Sequence, residues 1–121
     1  MVAEVLNICN PRRQDFPLTG LVLEVEKITR EVFAATANNE HAVGAAAAPY
    51  LRLVGHLVLA WMWARVAEVA LGKLGSEDPI YAAKLATARF YYQRQLPETL
   101  ALSAEIRAGA AVVMTTPVES L

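Results

Sequence analysis

The amino-acid sequence predicts an all-α fold, and three observations support this prediction. Alanine, the residue with the highest helix propensity, occupies 22 of the 121 positions. Apolar residues recur every three or four positions over long stretches, which is the spacing of one face of a helix. No stretch alternates apolar and polar residues as a half-buried strand does. Because 55% of the residues are hydrophobic and 19% are charged, we expect a single folded core.

The first predicted helix runs from about Leu18 to Ala37. Its apolar residues recur at helical spacing and form one stripe on the core side. These residues are Leu21, Val25, Ile28, Val32 and Ala35. Charged residues occupy the opposite side, and the pair Asn38-Asn39 interrupts the pattern. We therefore predict one amphipathic helix that ends before these asparagines.

The second predicted helix runs from about Glu40 to Lys73 and contains Pro49. Proline lacks an amide N–H and clashes with the preceding turn, so the helix either kinks there or begins near Ala48. The alanines before the proline favour the kinked helix. Two neighbouring stripes of this helix are apolar: Tyr50, Val54, Leu57 and Trp61 form one, and Leu51, Val58, Met62 and Val69 form the other. A helix that is apolar over so much of its circumference is expected in the middle of a bundle.

The third predicted helix follows the clearest boundary in the chain. Asp78 suits the N-cap position and Pro79 suits the first helical position. The helix extends to about Ala108 and contains a second proline, Pro97, where we expect another kink. Its core face carries Tyr81, Leu85, Ala88, Tyr92 and Leu96.

Three long helices joined by short connections predict an up-down antiparallel bundle. The bundle occupies residues 18–110. It follows an arm or linker over residues 1–17, in which Asn10 and Pro11 interrupt a short apolar run. A tail over residues 111–121 contains a second apolar run at 112–114, which we expect to dock on the bundle.

Charge and motifs argue against several classes of function. The chain carries 11 basic and 12 acidic residues without a basic stripe, so we expect no nucleic-acid binding. His41 and His56 lie too far apart for a helical metal site, and no glycine-rich phosphate loop or nucleophile elbow is present. Glu68 is the one candidate general base. An ion pair with Arg65 explains that glutamate more simply.

The expected location is the cytoplasm. A single cysteine, Cys9, cannot form an internal disulfide and suits a reducing compartment. The N-terminus lacks the basic start and apolar block of a signal peptide. The most apolar run, residues 57–64, is far shorter than the ~20 residues that a membrane span requires. We therefore predict no membrane span.

Aromatic and basic residues predict a contact surface. At 100° per residue, Trp61 falls on the core stripe, whereas Trp63 falls on another side of the second helix. A large outward aromatic residue beside an arginine is typical of protein interfaces, although a larger core or a tail folded over the bundle is an equally good explanation. The residues of the predicted contact surface are Arg52, His56, Leu59, Trp63 and Phe90.

Two blocks of residues resemble a known protein family. The first is Pro49-Tyr50-Leu51-Arg52-Leu53-x-Gly55 followed by Trp61-Met62-Trp63-Ala64-Arg65. The second begins with Asp78-Pro79-x-Tyr81-x-Ala83-Lys84, continues through Ala88-Arg89-Phe90-Tyr91 and ends with Leu96-Pro97-Glu98-Thr99. Over residues from about 20 to 109 the chain resembles the extra C-terminal helical domain of a subgroup of acyl-CoA dehydrogenases. This subgroup includes enzymes similar to 3-methylmercaptopropionyl-CoA dehydrogenase.

The resemblance implies a helical accessory domain without catalytic residues of its own. Such enzymes oxidise acyl-CoA thioesters with FAD and a glutamate base, and both belong to the preceding dehydrogenase domains. No cofactor-binding, metal-binding or catalytic residue is therefore expected in this chain. Its expected partners are those domains or a partner subunit.

A stand-alone helical module is the alternative interpretation. Such a module would self-associate or bind an apolar ligand in a cavity lined by Trp61, Tyr81 and Tyr92. The chain is either a piece of a longer enzyme or a small independent relative. Because apolar surface spreads over more than one helix face, we expect a homodimer in either case.

Overall fold

A computed structural model describes residues 17–120, and every regular element in this range is helical. Helix α1 spans Pro17–Thr36 and α2 spans Ala42–Gly72. The remaining elements are α3 (Ile80–Phe90), a π-helical segment (Tyr91–Gln95), α4 (Glu98–Ala108), α5 (Ala111–Met114) and a short 3-10 turn (Val118–Ser120). The prediction of an all-α fold is confirmed. The predicted arm, apart from Pro17, lies outside the described residues.

Helix α1 buries the stripe that its periodicity predicts. Leu21, Val25 and Ile28 are buried, and Val32 packs against the same core. Only Ala35, at the end of the stripe, is exposed. The hydroxyl groups of Thr29 and Tyr50 lie 2.7 Å apart, which joins α1 to α2 by a hydrogen bond.

Helix α2 packs against α1, α3 and α4, and its buried face consists mainly of alanine. It continues through Pro49, which is itself buried, so the alternative start near Ala48 is wrong. The buried residues of α2 are Ala42, Ala46, Pro49, Leu53, Ala60, Ala64, Ala67 and Ala70. Alanine has almost no side chain beyond Cβ, so neighbouring helices can approach the α2 backbone closely.

The larger apolar residues of α2 do not lie where the sequence analysis places them. The stripe of Leu51, Val58, Met62 and Val69 is exposed, although a helix in the middle of a bundle was expected to bury it. Trp61 is 51% exposed, whereas Trp63 is partly buried against the core. The predicted orientations of the two tryptophans are therefore wrong. The side of α2 that faces the core carries its alanines rather than its largest side chains.

The region predicted as one third helix is divided into α3, the π-helical segment and α4. Asp78 Oδ1 accepts a hydrogen bond from the Ile80 N–H at 2.9 Å, but Pro79 rather than Asp78 occupies the N-cap position. Before Pro97, the Leu96 N–H donates to the Tyr91 carbonyl five residues earlier, at 2.9 Å. This is the spacing of a π-helix, and it directly precedes a residue that has no N–H for the ladder.

The core face of this region agrees with its predicted stripe. Leu85, Ala88, Tyr92 and Leu96 are buried, and Tyr81 packs against the core from its edge. The Tyr92 hydroxyl donates to the Ala60 carbonyl at 2.6 Å. This hydrogen bond joins the π-helical segment to the alanine face of α2.

The C-terminal apolar run does not dock on the bundle. Val112, Val113 and Met114 of α5 are each more than half exposed. Ala110, just before α5, is the residue of this region that is buried.

Helix α2 is also long and apolar enough to cross a membrane, judged by length and composition alone. Its 31 residues include an 18-residue window of mean hydropathy 1.4, of which 22% is buried. The apolar part of this helix is therefore longer than residues 57–64, the run on which the prediction of no membrane span was based. Core helices of soluble proteins also reach this length and hydropathy.

Candidate contact site

Four of the five predicted contact residues lie on α2, and the fifth, Phe90, ends α3. The Arg52 side chain is 63% exposed, and Leu59 and Phe90 are each about half exposed. The His56 side chain is only 11% exposed, and Trp63 packs against the core. Of the five residues, Arg52, Leu59 and Phe90 are therefore exposed, and His56 is nearly buried. That these five residues bind a partner stays a prediction.

His56 is the centre of a hydrogen-bonded cluster that joins α2 to the π-helical segment and to α4. Its Nε2 lies 2.7 Å from Glu98 Oε2, and its Nδ1 lies 2.9 Å from the Tyr91 hydroxyl. The same hydroxyl donates to the His56 carbonyl at 3.0 Å. Arg52 donates to the other carboxylate oxygen of Glu98. We call Arg52, His56, Tyr91 and Glu98 the His56 cluster.

The hydrogen bonds of the His56 cluster engage both ring nitrogens of the imidazole. An ionised carboxylate only accepts hydrogen bonds, so His56 Nε2 is the donor to Glu98. Nδ1 lies within hydrogen-bond distance of the Tyr91 hydroxyl, which also contacts the His56 carbonyl.

Both acidic members of the cluster have shifted pKa values. The hydrogen bond from His56, together with the charges of Arg52 and His56, holds the pKa of Glu98 below its ordinary value of 4.5. Burial, followed by the nearby charge of Glu98, raises the pKa of Tyr91 to about 12. At neutral pH Glu98 is therefore a carboxylate, and Tyr91 keeps its proton.

The arrangement suits a structural role better than acid–base catalysis. A general base needs a free lone pair within reach of a substrate proton. Both ring nitrogens of His56 are already engaged by Glu98 and Tyr91. The cluster therefore fixes the relative position of three chain segments beneath the exposed Arg52 side chain.

Two members of the cluster, Tyr91 and Glu98, were not identified from the sequence. Arg52 and His56 share one side of α2 because they are four residues apart. Their partners lie 35 to 46 residues further along the chain. Only the chain path after α3 brings them together. The one local signal is that Glu98 follows Pro97 and lies in the first turn of α4, where a carboxylate is favoured.

The structure does not form the predicted ligand cavity. Tyr92 lines a groove with Leu21 and Leu96, Tyr81 lines a different groove with Arg65, and Trp61 is half exposed. The candidate base Glu68 is exposed. The ion pairs among the described residues include none between Glu68 and Arg65, so that explanation of Glu68 is wrong.

Comparison with known proteins identifies the family. A family model described as acetyl-CoA dehydrogenase C-terminal like matches residues 13–117, which include the whole His56 cluster. No curated protein and no solved structure gave a match. The family match agrees with the resemblance carried by the Tyr, Trp and Arg residues of α2 and α3. The chain belongs to the acetyl-CoA dehydrogenase C-terminal-like family.

Proposed function

We propose that the chain is an accessory domain that assembles with the dehydrogenase domains of a flavin-dependent acyl-CoA dehydrogenase. Those domains, in the same protein or in a partner subunit, would hold FAD and the glutamate base and oxidise the acyl-CoA thioester. The proposed subgroup is that of enzymes similar to 3-methylmercaptopropionyl-CoA dehydrogenase. The proposed location is the cytoplasm. Family membership supports the parent activity.

One observation carries the assembly role, namely the exposed residues around the His56 cluster. Leu59 lies almost one turn after His56 in α2, and Phe90 directly precedes Tyr91. The cluster joins the three segments that carry or adjoin these residues by hydrogen bonds. Arginine and aromatic residues are enriched at protein interfaces, and Arg52 and Phe90 are both exposed.

We also propose that the long helices form an up-down bundle that is kinked at Pro49 and Pro97. Two pairs of contacts support alternating directions. Thr29 of α1 bonds Tyr50 near the start of α2, while Ala60 further along α2 bonds Tyr92, which follows α3. The π-helical hydrogen bond before Pro97 supports a local change of the helix ladder.

The assembly role is tested by titrating the 121-residue chain into the dehydrogenase domains of a flavin-containing family member and measuring heat of binding. We expect saturable binding, and at least tenfold weaker binding for Phe90→Ala. Leu100→Ala is the control, because Leu100 is exposed on α4 and lines a groove with Leu21 of α1 that contains none of the predicted contact residues. The chain alone should be colourless and should give no turnover with acyl-CoA and an electron acceptor. No binding, or equal effects of both substitutions, would contradict the proposal.

A further inference from the structure

The exposed stripe of α2 has the spacing of a coiled-coil seam. Leu51, Gly55, Val58, Met62, Arg65 and Val69 alternate by four and three residues. This alternation keeps residues on one side of a helix that pairs with another helix. Leu51 is 74% exposed, and Val58, Met62 and Val69 are each about half exposed. We call these six residues the α2 seam.

We propose that the α2 seam binds the α2 seam of a second copy of this chain in antiparallel orientation. A two-fold axis beside Ala60 relates positions that are equally far from residue 60. Val58 of one copy then lies opposite Met62 of the other, and Leu51 lies opposite Val69. A two-fold axis creates every contact twice, as expected for a closed homodimer.

The remaining pair of the α2 seam favours this orientation. Arg65 lies opposite Gly55 of the second copy, where a side chain would meet no atom of its own chain within 4 Å. The long aliphatic part of arginine can cover such an open position while its guanidinium reaches water. A parallel pair would instead place the two Arg65 side chains opposite each other in the seam. Like charges at that distance repel.

Trp61 adds contact area beside the seam. It lies about 80° from the centre of the seam and only one residue from the axis, so the two copies of Trp61 meet on the same flank. With its 51% exposure, Trp61 joins four other exposed apolar residues, namely Leu51, Val58, Met62 and Val69. Together these five side chains present roughly 550 Å² of surface per copy. A standard interface buries ~800 Å² per partner, of which ~60% is apolar, so an interface that covers all five side chains would match this apolar share.

This proposal is independent of assembly with the dehydrogenase domains, because the α2 seam excludes Arg52, His56 and Phe90. Light scattering coupled to size-exclusion chromatography of the 121-residue chain provides the first measurement. One chain has a mass of 13.1 kDa, and we expect a particle of twice that mass across a dilution series. A monomer at all concentrations would overturn the proposal.

Two substitutions test the seam. Val58→Lys places a charge opposite Met62 and is expected to raise the dimer Kd at least tenfold. The matched control Leu100→Lys introduces the same charge at an exposed position of α4 and should leave the mass unchanged. Both positions are exposed, so the helical circular dichroism of each variant should equal that of the unmodified chain. A Val58→Lys variant that dimerises normally would show that another face is used.

A third variant tests the orientation. Val58→Lys combined with Met62→Glu creates two lysine–glutamate pairs across an antiparallel seam, whereas a parallel seam would contain a lysine pair and a glutamate pair. We expect the double variant to recover the dimer that Val58→Lys loses. Failure to recover would overturn the antiparallel register.

A membrane is the competing occupant of this apolar face. Co-sedimentation with vesicles of neutral phospholipid separates the two cases. We expect the chain to remain in the supernatant as a dimer. A monomer that sediments with the vesicles, and that Val58→Lys releases, would assign the face to lipid and overturn the dimer.

Discussion

Glu98 provides the hydrogen-bond acceptor for Nε2 of the nearly buried His56. One carboxylate oxygen accepts from His56 and the other accepts from Arg52. The hydrogen bond from His56, followed by the charge of Arg52, explains why the pKa of Glu98 is lowered. The group therefore contributes to stability as a carboxylate. Its contribution is complete above the pKa of the unfolded chain and is lost as the pH falls through the lower pKa of the folded chain.

The prediction for Glu98 concerns stability at acid pH. We expect the Tm of the unmodified chain to fall below about pH 4.5, the ordinary value for this group. Glu98→Gln should have a lower Tm at pH 7 and a shallower fall in acid, because the amide has no charge to lose. Thermal unfolding followed by circular dichroism from pH 7 to pH 3 measures both slopes. Glu24, whose pKa is also lowered, contributes to the slope that remains. Parallel curves for both proteins would refute this role of Glu98.

At the level of helices, the alanine face of α2 determines which side of α2 is buried. Ala60 and Ala67 are fully buried, and Leu53 lies on the same line. Small side chains let the other helices contact the α2 backbone directly, so the larger residues remain outside. The seam with Leu51 and Val58 is exposed for this reason.

Enlarging the alanine face should destabilise the fold. Ala67→Leu adds three carbon atoms at a fully buried position and is expected to cost about 1–3 kcal/mol of unfolding free energy. Ala101→Leu is the matched control, since Ala101 is exposed in α4 and both residue types favour helices. Urea unfolding gives both values. An Ala67→Leu variant as stable as Ala101→Leu would show that this face is not closely packed.

Across the whole molecule, Arg107 joins the last long helix to the first. It donates to Glu31 at 2.9 Å and to Glu24 at 2.5 Å, so α4 is bound to two positions of α1 that lie about two turns apart. The Arg107 hydrogen bond is the main cause of the lowered pKa of Glu24, and both glutamates raise the pKa of Arg107 further. All three side chains remain about one third exposed or more, so salt in the solvent weakens the pairing.

We expect Arg107→Gln to lower the unfolding free energy by about 1 kcal/mol at low salt and by less in high salt. Arg30→Gln is the control, because Arg30 pairs with Glu26 within α1 alone and its side chain is 79% exposed. That substitution should cost about 0.3–0.5 kcal/mol. Urea titrations at two salt concentrations compare the two variants. Equal losses for both would indicate that the contact between α1 and α4 adds nothing beyond a local helix pair.

The sequence by itself determined the helical class, the bounds of α1 and α2 to within a few residues, and the buried stripes of α1 and α3. These features depend on helix propensity and on the spacing of apolar residues, which are local properties. The family resemblance could also be recognised from the sequence alone, because it rests on strings of residues within α2, α3 and α4. Arg52 and His56 were identified as one surface for the same reason.

Only the tertiary structure decided which face of α2 is buried and which residues complete the His56 cluster. Periodicity gives equal weight to every apolar stripe of a helix that is apolar almost all round. It therefore placed Trp61 on the core side and Trp63 on another side, whereas Trp63 packs against the core and Trp61 is half exposed. The choice depends on how closely other helices approach the alanines of α2. Tyr91 and Glu98 reach His56 through the path of the chain across the π-helical segment, and no local spacing encodes a contact between residues so far apart in sequence.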